Sequence, residues 1–357
     1  MPDAALETYL ADQLDLEYVE TDRRHAGLNT MVAVSTPDTT DAYLLRSPTA
    51  LRDTPGFNDL ETEYRLLERL ADTPIPAPDP ILYCPAGAIP EAPCFLTTRL
   101  AGTTIPMRGQ LPDRYHTPDA RRAYADAVVD TLVTLHGLDT DRFADVATRR
   151  GAGEQVRAWR PHLETVAAAT DRDLTDLFAV ADFLEANAPT ADPTTLVHGD
   201  YRPGNLLLGG EDTPQITGVI DWETAFLGNP LTELGYVALL WGPLDPRPAL
   251  DPIVAEYRGH PGLADVRVVH EHGFQPFTAA ADTPDTATLV DRYLDCTGFT
   301  APDLRYYQAH AALGLATVWE TLHRDAVAGE GESDWPPLLD YLARHARRLT
   351  AAATPPG

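Results

Sequence analysis

The chain has 357 residues and sets 54 Asp+Glu against 27 Lys+Arg, a formal net charge of −27. No lysine occurs anywhere in it, although lysine is ordinarily among the commonest residues. Such a charge excludes nucleic acid or an anionic membrane as the main partner, because both require concentrated positive charge. An acidic, lysine-free chain rich in Ala, Asp, Thr and Pro fits a cytoplasm of very high salt, where self-repulsion is screened.

A hydrophobic fraction of 44% with five Trp is enough for a large core, and the length suits two lobes. Cys84, Cys94 and Cys296 form neither a metal-ligand spacing nor a disulfide framework, which points to a reducing compartment. Met1-Pro2-Asp3-Ala4-Ala5 carries no apolar signal segment, and no stretch approaches the roughly 18 apolar residues of a membrane span. A cytoplasmic protein is expected.

Residues 17–46 read as strands, with β-branched Thr30–Thr36 stopped at Pro37-Asp38 and Ala42–Leu45 following. From Phe57 to Ala71 the period turns helical, Leu60, Tyr64, Leu67 and Leu70 forming one apolar stripe. The proline-rich connector Ile75–Pro80 breaks the helix, and Ile81–Cys84 with Phe95–Thr98 close a small sheet. Beyond Gly102, helices are predicted at Ala123–His136, Val156–Ala169 and Leu174–Ala188. Leu206–Leu208 and Ile216–Ile220 then flank the turn Gly209-Gly210-Glu211-Asp212 as a hairpin. Helices resume at Leu231–Trp241, Leu289–Cys296, Leu304–Leu322 and Leu338–Leu349. The basic run Arg344-His345-Ala346-Arg347-Arg348 reads as an exposed helix end. The fold class is α+β, with a small β-rich lobe over 1–100 and a larger helical lobe over 101–357.

Chemistry concentrates in His198-Gly199-Asp200-Tyr201-Arg202-Pro203-Gly204-Asn205 and, one hairpin later, Ile220-Asp221-Trp222-Glu223. The hairpin would bring Asp200, Asn205 and Asp221 toward one point. Two carboxylates and an amide oxygen are hard ligands that suit Mg²⁺ held together with substrate phosphates. The pattern fits phosphoryl transfer, in which a loop Asp takes the acceptor's proton while an Asn and a later Asp hold metal.

His-Gly-Asp-x-x-x-x-Asn followed by Ile-Asp-Trp-Glu resembles the catalytic and metal loops of the aminoglycoside phosphotransferase family, relatives of choline kinases and protein kinases. Asn229-Pro230-Leu231-Thr232-Glu233-Leu234-Gly235 resembles that family's Asp-Pro-x-x-Asp-Leu signature, with Asn and Glu replacing both aspartates. The likeness is greatest to the branch that includes the kinase-like domains fused to some acyl-CoA dehydrogenases.

The resemblance implies a protein-kinase-like, two-lobed enzyme using ATP (GTP possible) and Mg²⁺ to phosphorylate a hydroxyl of a small molecule. It gives Asp200 the role of base and assigns the metal to Asn205 and Asp221. Arg202 stabilises transferring charge or anchors the loop, and His198 acts in catalysis or braces the backbone. Glu63 lies on the apolar stripe of its helix, where a carboxylate needs a partner. The fold offers the cation ending the third strand, here Arg46 in place of the usual lysine. The turn His25-Ala26-Gly27-Leu28-Asn29-Thr30 resembles the family's phosphate-covering turn, with Gly27 and Asn29 as its markers. Backbone groups at Thr98 and Leu100 would meet adenine. Trp222, Trp241 and Trp319 read as core, Glu223 as facing the acceptor or backing the metal, and Glu233 as a brace. The rival reading is a nucleotide-binding pseudokinase with a regulatory role. A protein kinase is disfavoured, since no Ala-Pro-Glu segment occurs and Pro230 follows Asp221 by only nine positions. No acceptor signature or oligomeric state is legible.

Overall fold

The computed structural model describes residues 3–26, 29–48, 54–87, 92–189, 193–301, 303–329, 331 and 333–354. Its N-terminal part opens with α1 (Asp3–Leu14), a helix not anticipated from the sequence. β1 (Glu20–Ala26), β2 (Asn29–Ser35) and β3 (Tyr43–Pro48) follow as an antiparallel run. Then come α2 (Leu60–Leu70), β4 (Pro80–Cys84) and β5 (Cys94–Thr98), giving one five-stranded sheet in the order β1-β2-β3-β5-β4. Leu6 and Leu10 of α1 cover one face of this sheet, packing with Val32, Val34, Leu45 and Leu96 as a separate apolar cluster. Cys84 and Cys94 face each other across β4 and β5, both buried.

α2 forms because Asp59 caps it, accepting from the Thr62 amide at 2.7 Å, and because Leu60, Leu66, Leu67 and Leu70 bury one stripe. Those leucines join the large core of the helical part rather than the sheet cluster. The loop before α2 is tied down as well. The Asn58 amide donates to Glu223 O at 2.7 Å, and Asn58 Nδ2 donates to Ala225 O at 2.8 Å.

The connector after β5 is stitched to the helical part by reciprocal bonds between Thr103 and Leu208, at 3.0 and 2.9 Å. That part contains α3 (Pro118–His136), α4 (Ala152–Thr170), α5 (Thr175–Ala186), β6 (Thr195–Val197), the hairpin β7 (Leu206–Gly209) and β8 (Gln215–Val219), and β9 (Phe226–Gly228) paired with β6. After it come α6 (Pro230–Leu240), α7 (Asp251–Glu256), α8 (Leu263–His272), α9 (Thr286–Thr297), α10 (Arg305–Ala328) and α11 (Pro336–Ala352). Every residue of α6 is buried, and α10 packs against it, α4 and α11, so the core of the larger lobe surrounds these helices. α3 begins at Pro118, earlier than expected, because Thr117 caps it with Pro at the first turn.

The C-terminal basic run is corrected by the structure. His345 is buried, its Nδ1 3.1 Å from Pro246 O, while Arg344 does face outward, paired with Glu256 at 2.8 Å. The i,i+3 and i,i+4 spacing to Leu342 and Leu349 places His345 on the apolar stripe of α11. Among the described residues, no helix is long and apolar enough to cross a membrane.

Candidate active site

β6 ends at Val197, and the chain turns through His198 and Gly199 into Asp200. Gly199 has φ +85°, and a Cβ there would lie 2.5 Å from Thr224 O, so the turn requires glycine. The bend is braced by Glu233 of α6, whose carboxylate accepts from the His198 amide at 3.0 Å and the Gly199 amide at 2.7 Å. His136 Nε2 approaches the same carboxylate at 3.1 Å. Burial opposes ionisation of Glu233, but His136 and the His198 contacts outweigh it and hold the carboxyl below its usual range.

His198 is fully buried. Its Nε2 lies 3.0 Å from Ile220 O, and its Nδ1 accepts from the Asp200 amide at 3.2 Å. It links the two loops rather than facing the cleft.

The Asp200 carboxylate is held from three sides. Arg202 Nε donates to both of its oxygens at 3.0 Å, Asn205 Nδ2 donates to Oδ2 at 2.7 Å, and Tyr236 OH donates to Oδ1 at 2.7 Å. Of the two readings of Arg202, the anchoring one matches this geometry, and the acidic neighbour is Asp200 itself. Burial works against the Arg202 cation, yet Asp200, Tyr236 and Asp221 together outweigh it and keep it above the usual arginine range. Tyr236 was missed in the sequence. The only signal was its position three residues after Glu233, on the same face of α6.

Asp221 follows β8 with φ +71° and ψ 60°, a left-handed conformation that Asp tolerates better than most residues. Its Oδ1 accepts from Arg46 Nη2 at 2.6 Å. Arg46, on β3, also donates to Glu63 Oε1 at 2.7 Å and Glu223 Oε2 at 2.5 Å. The guanidinium therefore joins β3, α2 and the loop after β8. Burial disfavours its charge, but Glu63, Asp221 and Glu223 together raise its pKa above the ordinary value. Its Nε is buried without a hydrogen-bond partner. Glu223 thus turns out to be a partner of Arg46.

Thr98 closes β5, its amide donating to Asp79 O and its hydroxyl accepting from the Asp79 amide, both at 2.9 Å. Leu100 lies in the connector beside Gly218 of β8. Asn29 opens β2, whereas Gly27 lies outside the described residues. Trp222 and Trp241 are core, but Trp319 also lines a cavity of about 760 Å³ that opens beside Asp200, Asp221 and Tyr236. Among the described residues, no group of three or more His, Cys, Asp and Glu side chains could hold a metal by itself.

A small antiparallel sheet with one bridging helix, a helical lobe, and an Asp200–Asn205–Asp221 loop pair define a kinase-like phosphotransferase fold. The chain belongs to the phosphotransferase enzyme family, whose model matches residues 23–269. It is 23% identical over 299 residues to acyl-CoA dehydrogenase family member 11 of Gallus gallus, covering 82% of this chain and 35% of that protein. It is 38% identical over 108 residues to homoserine kinase of Beijerinckia indica, 29% of this chain and 31% of that one. The chain thus spans about a third of the length of these curated relatives. A candidate aminoglycoside phosphotransferase from Ralstonia eutropha superposes with TM-score 0.71 at 22% identity over 98% of both chains. A macrolide 2′-phosphotransferase from Brachybacterium faecium superposes with TM-score 0.56 at 18% identity over 99% of both.

Proposed function

We propose that the protein transfers the γ-phosphate of ATP, with GTP the alternative donor, to a hydroxyl of a small molecule. The observation that carries this is the Asp200 carboxylate, held by Arg202, Asn205 and Tyr236 at the edge of a cavity that Asp221 also lines. Asp200 accepts the hydroxyl proton as the acceptor oxygen bonds to phosphorus and the bond to the β-phosphate oxygen breaks, releasing ADP. Arg202 and Tyr236 fix the carboxylate's orientation, and His198 and Glu233 fix the loop that carries it. Nucleotide lies between the lobes, N-lobe 1–100 against C-lobe 101–357, with its base at Thr98 and Leu100 and the start of β2 at Asn29 over its phosphates. Similar folds described in complex with GDP and kanamycin or with ADP and spectinomycin support this donor and acceptor class.

The residues present fit Mg²⁺. Asn205 commits its amide nitrogen to Asp200, which leaves its Oδ1 to ligate, and Asp221 would supply a carboxylate. Three carboxylates around the single Arg46 guanidinium leave negative charge that a divalent cation would balance. When bound, Mg²⁺ supplies charge neutralisation for the phosphates it shares. The orphaned Arg46 Nε is a donor that a phosphate oxygen would satisfy. The acidic, lysine-free composition supports a high-salt cytoplasm as the setting.

The test is ADP release in multimolar KCl with Mg²⁺ and pooled metabolites as acceptors. Asp200→Ala should abolish turnover while Mg-ATP still binds, and Asp221→Ala should lose metal-dependent nucleotide binding. The pairing of Arg46 with Asp221 favours a second reading, a nucleotide-binding pseudokinase. Mg-ATP binding by wild type with no fraction raising turnover above Asp200→Ala would select it.

A further inference from the structure

The cavity beside Asp200 is lined by two kinds of side chain. Asp200, Arg202, Asp221 and Tyr236 are among its polar lining. For its apolar lining, α4, α10 and the segment before α11 supply Trp159, Leu315, Val318, Trp319, Leu322 and Trp335. The Trp319 and Trp335 rings lie 5.2 Å apart, a continuous aromatic wall. His310, in the same wall with its ring 4.8 Å from that of Trp159, is pushed down to about 4 by burial and is neutral near pH 7.

Each carboxylate that lines the cavity already accepts a hydrogen bond. Asp200 accepts from Arg202, Asn205 and Tyr236, while Asp221 and Glu223 accept from Arg46. Glu233 accepts from two backbone amides, and Glu154 accepts from the Gly151 amide at 2.9 Å. The tryptophan rings and aliphatic chains of this wall form the apolar part of the lining. An apolar body would gain there by leaving water, and about 760 Å³ is room for a substantial one.

We propose that the phosphate acceptor is an alcohol with an apolar body. Its hydroxyl meets Asp200, and its body lies against the wall formed by Trp159, Leu315, Val318 and Trp319. This rests on the phosphotransferase reading. The alcohol oxygen bonds to phosphorus, its proton passes to Asp200, and ADP leaves.

Straight-chain 1-alkanols of four to ten carbons and kanamycin are the probes, each tested for binding and for turnover. Binding is read from the tryptophan fluorescence of Asp200→Asn loaded with Mg-ATP, and turnover from ADP release by wild type. The expected result is that the alkanol dissociation constant falls about fourfold per methylene until the cavity fills, with kcat/KM rising in parallel. Leu315→Asp, which charges a half-buried wall position, should remove the chain-length dependence and leave Mg-ATP affinity unchanged. Val318→Ser repeats that test if Leu315→Asp does not fold. Turnover of kanamycin without alkanol binding or turnover overturns the inference and leaves the phosphotransferase reading standing. Length-dependent alkanol binding with no turnover of any acceptor supports the apolar site and overturns the phosphotransferase reading. Alkanols that neither bind nor react overturn the inference outright.

Discussion

Glu233 accepts hydrogen bonds from the backbone amides of both His198 and Gly199, although it lies more than thirty residues further along the chain. The α-helix that follows the Asp221 loop, α6, therefore sets the bend that precedes Asp200. A carboxylate does this well because it accepts from two donors at once and is met by His136 as well. Removing it leaves two buried amides and His136 without their acceptor. Glu233→Ala should cost about 3–5 kcal/mol, read from the urea midpoint. An unchanged midpoint would refute the brace.

Gly199→Ala tests the bend from the other side. An added methyl meets Thr224 O and forces an L residue to φ +85°. The expected cost is about 2 kcal/mol in thermal unfolding. Turnover should drop with it, because Asp200 is the next residue.

Tyr236→Phe deletes one donor to the Asp200 carboxylate and changes little else in volume. Hydrogen bonds to charged groups contribute about 1.5–3 kcal/mol, so kcat should fall roughly tenfold or more. The KM for Mg-ATP should stay put. An equal loss in both parameters would mean that Tyr236 acts through the fold rather than on Asp200.

Arg46→Lys keeps the charge and loses the fork. One ammonium cannot reproduce bonds from two guanidinium nitrogens to Glu63, Asp221 and Glu223. Mg-ATP affinity should weaken about tenfold, measured by calorimetry. Retained affinity would show that the guanidinium geometry is dispensable.

His345 gives a pH signature away from the site. Burial first, against the opposing bond to Pro246, pushes its pKa down to about 4 from an unfolded value near 6.5. The unfolded chain takes up its proton first, so this contribution to stability is complete above pH 6.5. It is lost as pH falls toward 4 and amounts to about 3 kcal/mol. His345→Gln should flatten the fall in Tm across that window relative to wild type. A parallel fall in both proteins would contradict it.

The elements nearest the chemistry were legible because they are local in sequence. His198 to Asn205 and Ile220 to Glu223 lie on one short hairpin, and Glu63 betrays itself as a carboxylate on the stripe of α2. What escaped depends on distance along the chain or on weak periodicity. β6 and β9 have three residues each, too few for alternation to register. α7 and α8 lie in a stretch punctuated by Pro243, Pro246, Pro248, Pro252 and Pro261, which reads as loop. The acceptor wall is assembled from Trp159, Trp319 and Trp335 on separate segments, so only packing brings it into being. Trp319 is core as expected and lines the cavity as well, and the second role leaves no mark of its own in a sequence.

The cation on β3 also decides which reagents can find this cleft. A lysine there would be an ε-amine, open to acylation or Schiff-base formation once deprotonated. Arg46 stays protonated, and burial among three carboxylates only strengthens that. With no lysine in the chain, electrophiles that mark amine-based nucleotide sites would find no side-chain amine to modify. Covalent labelling of this cleft has to be directed at other chemistry.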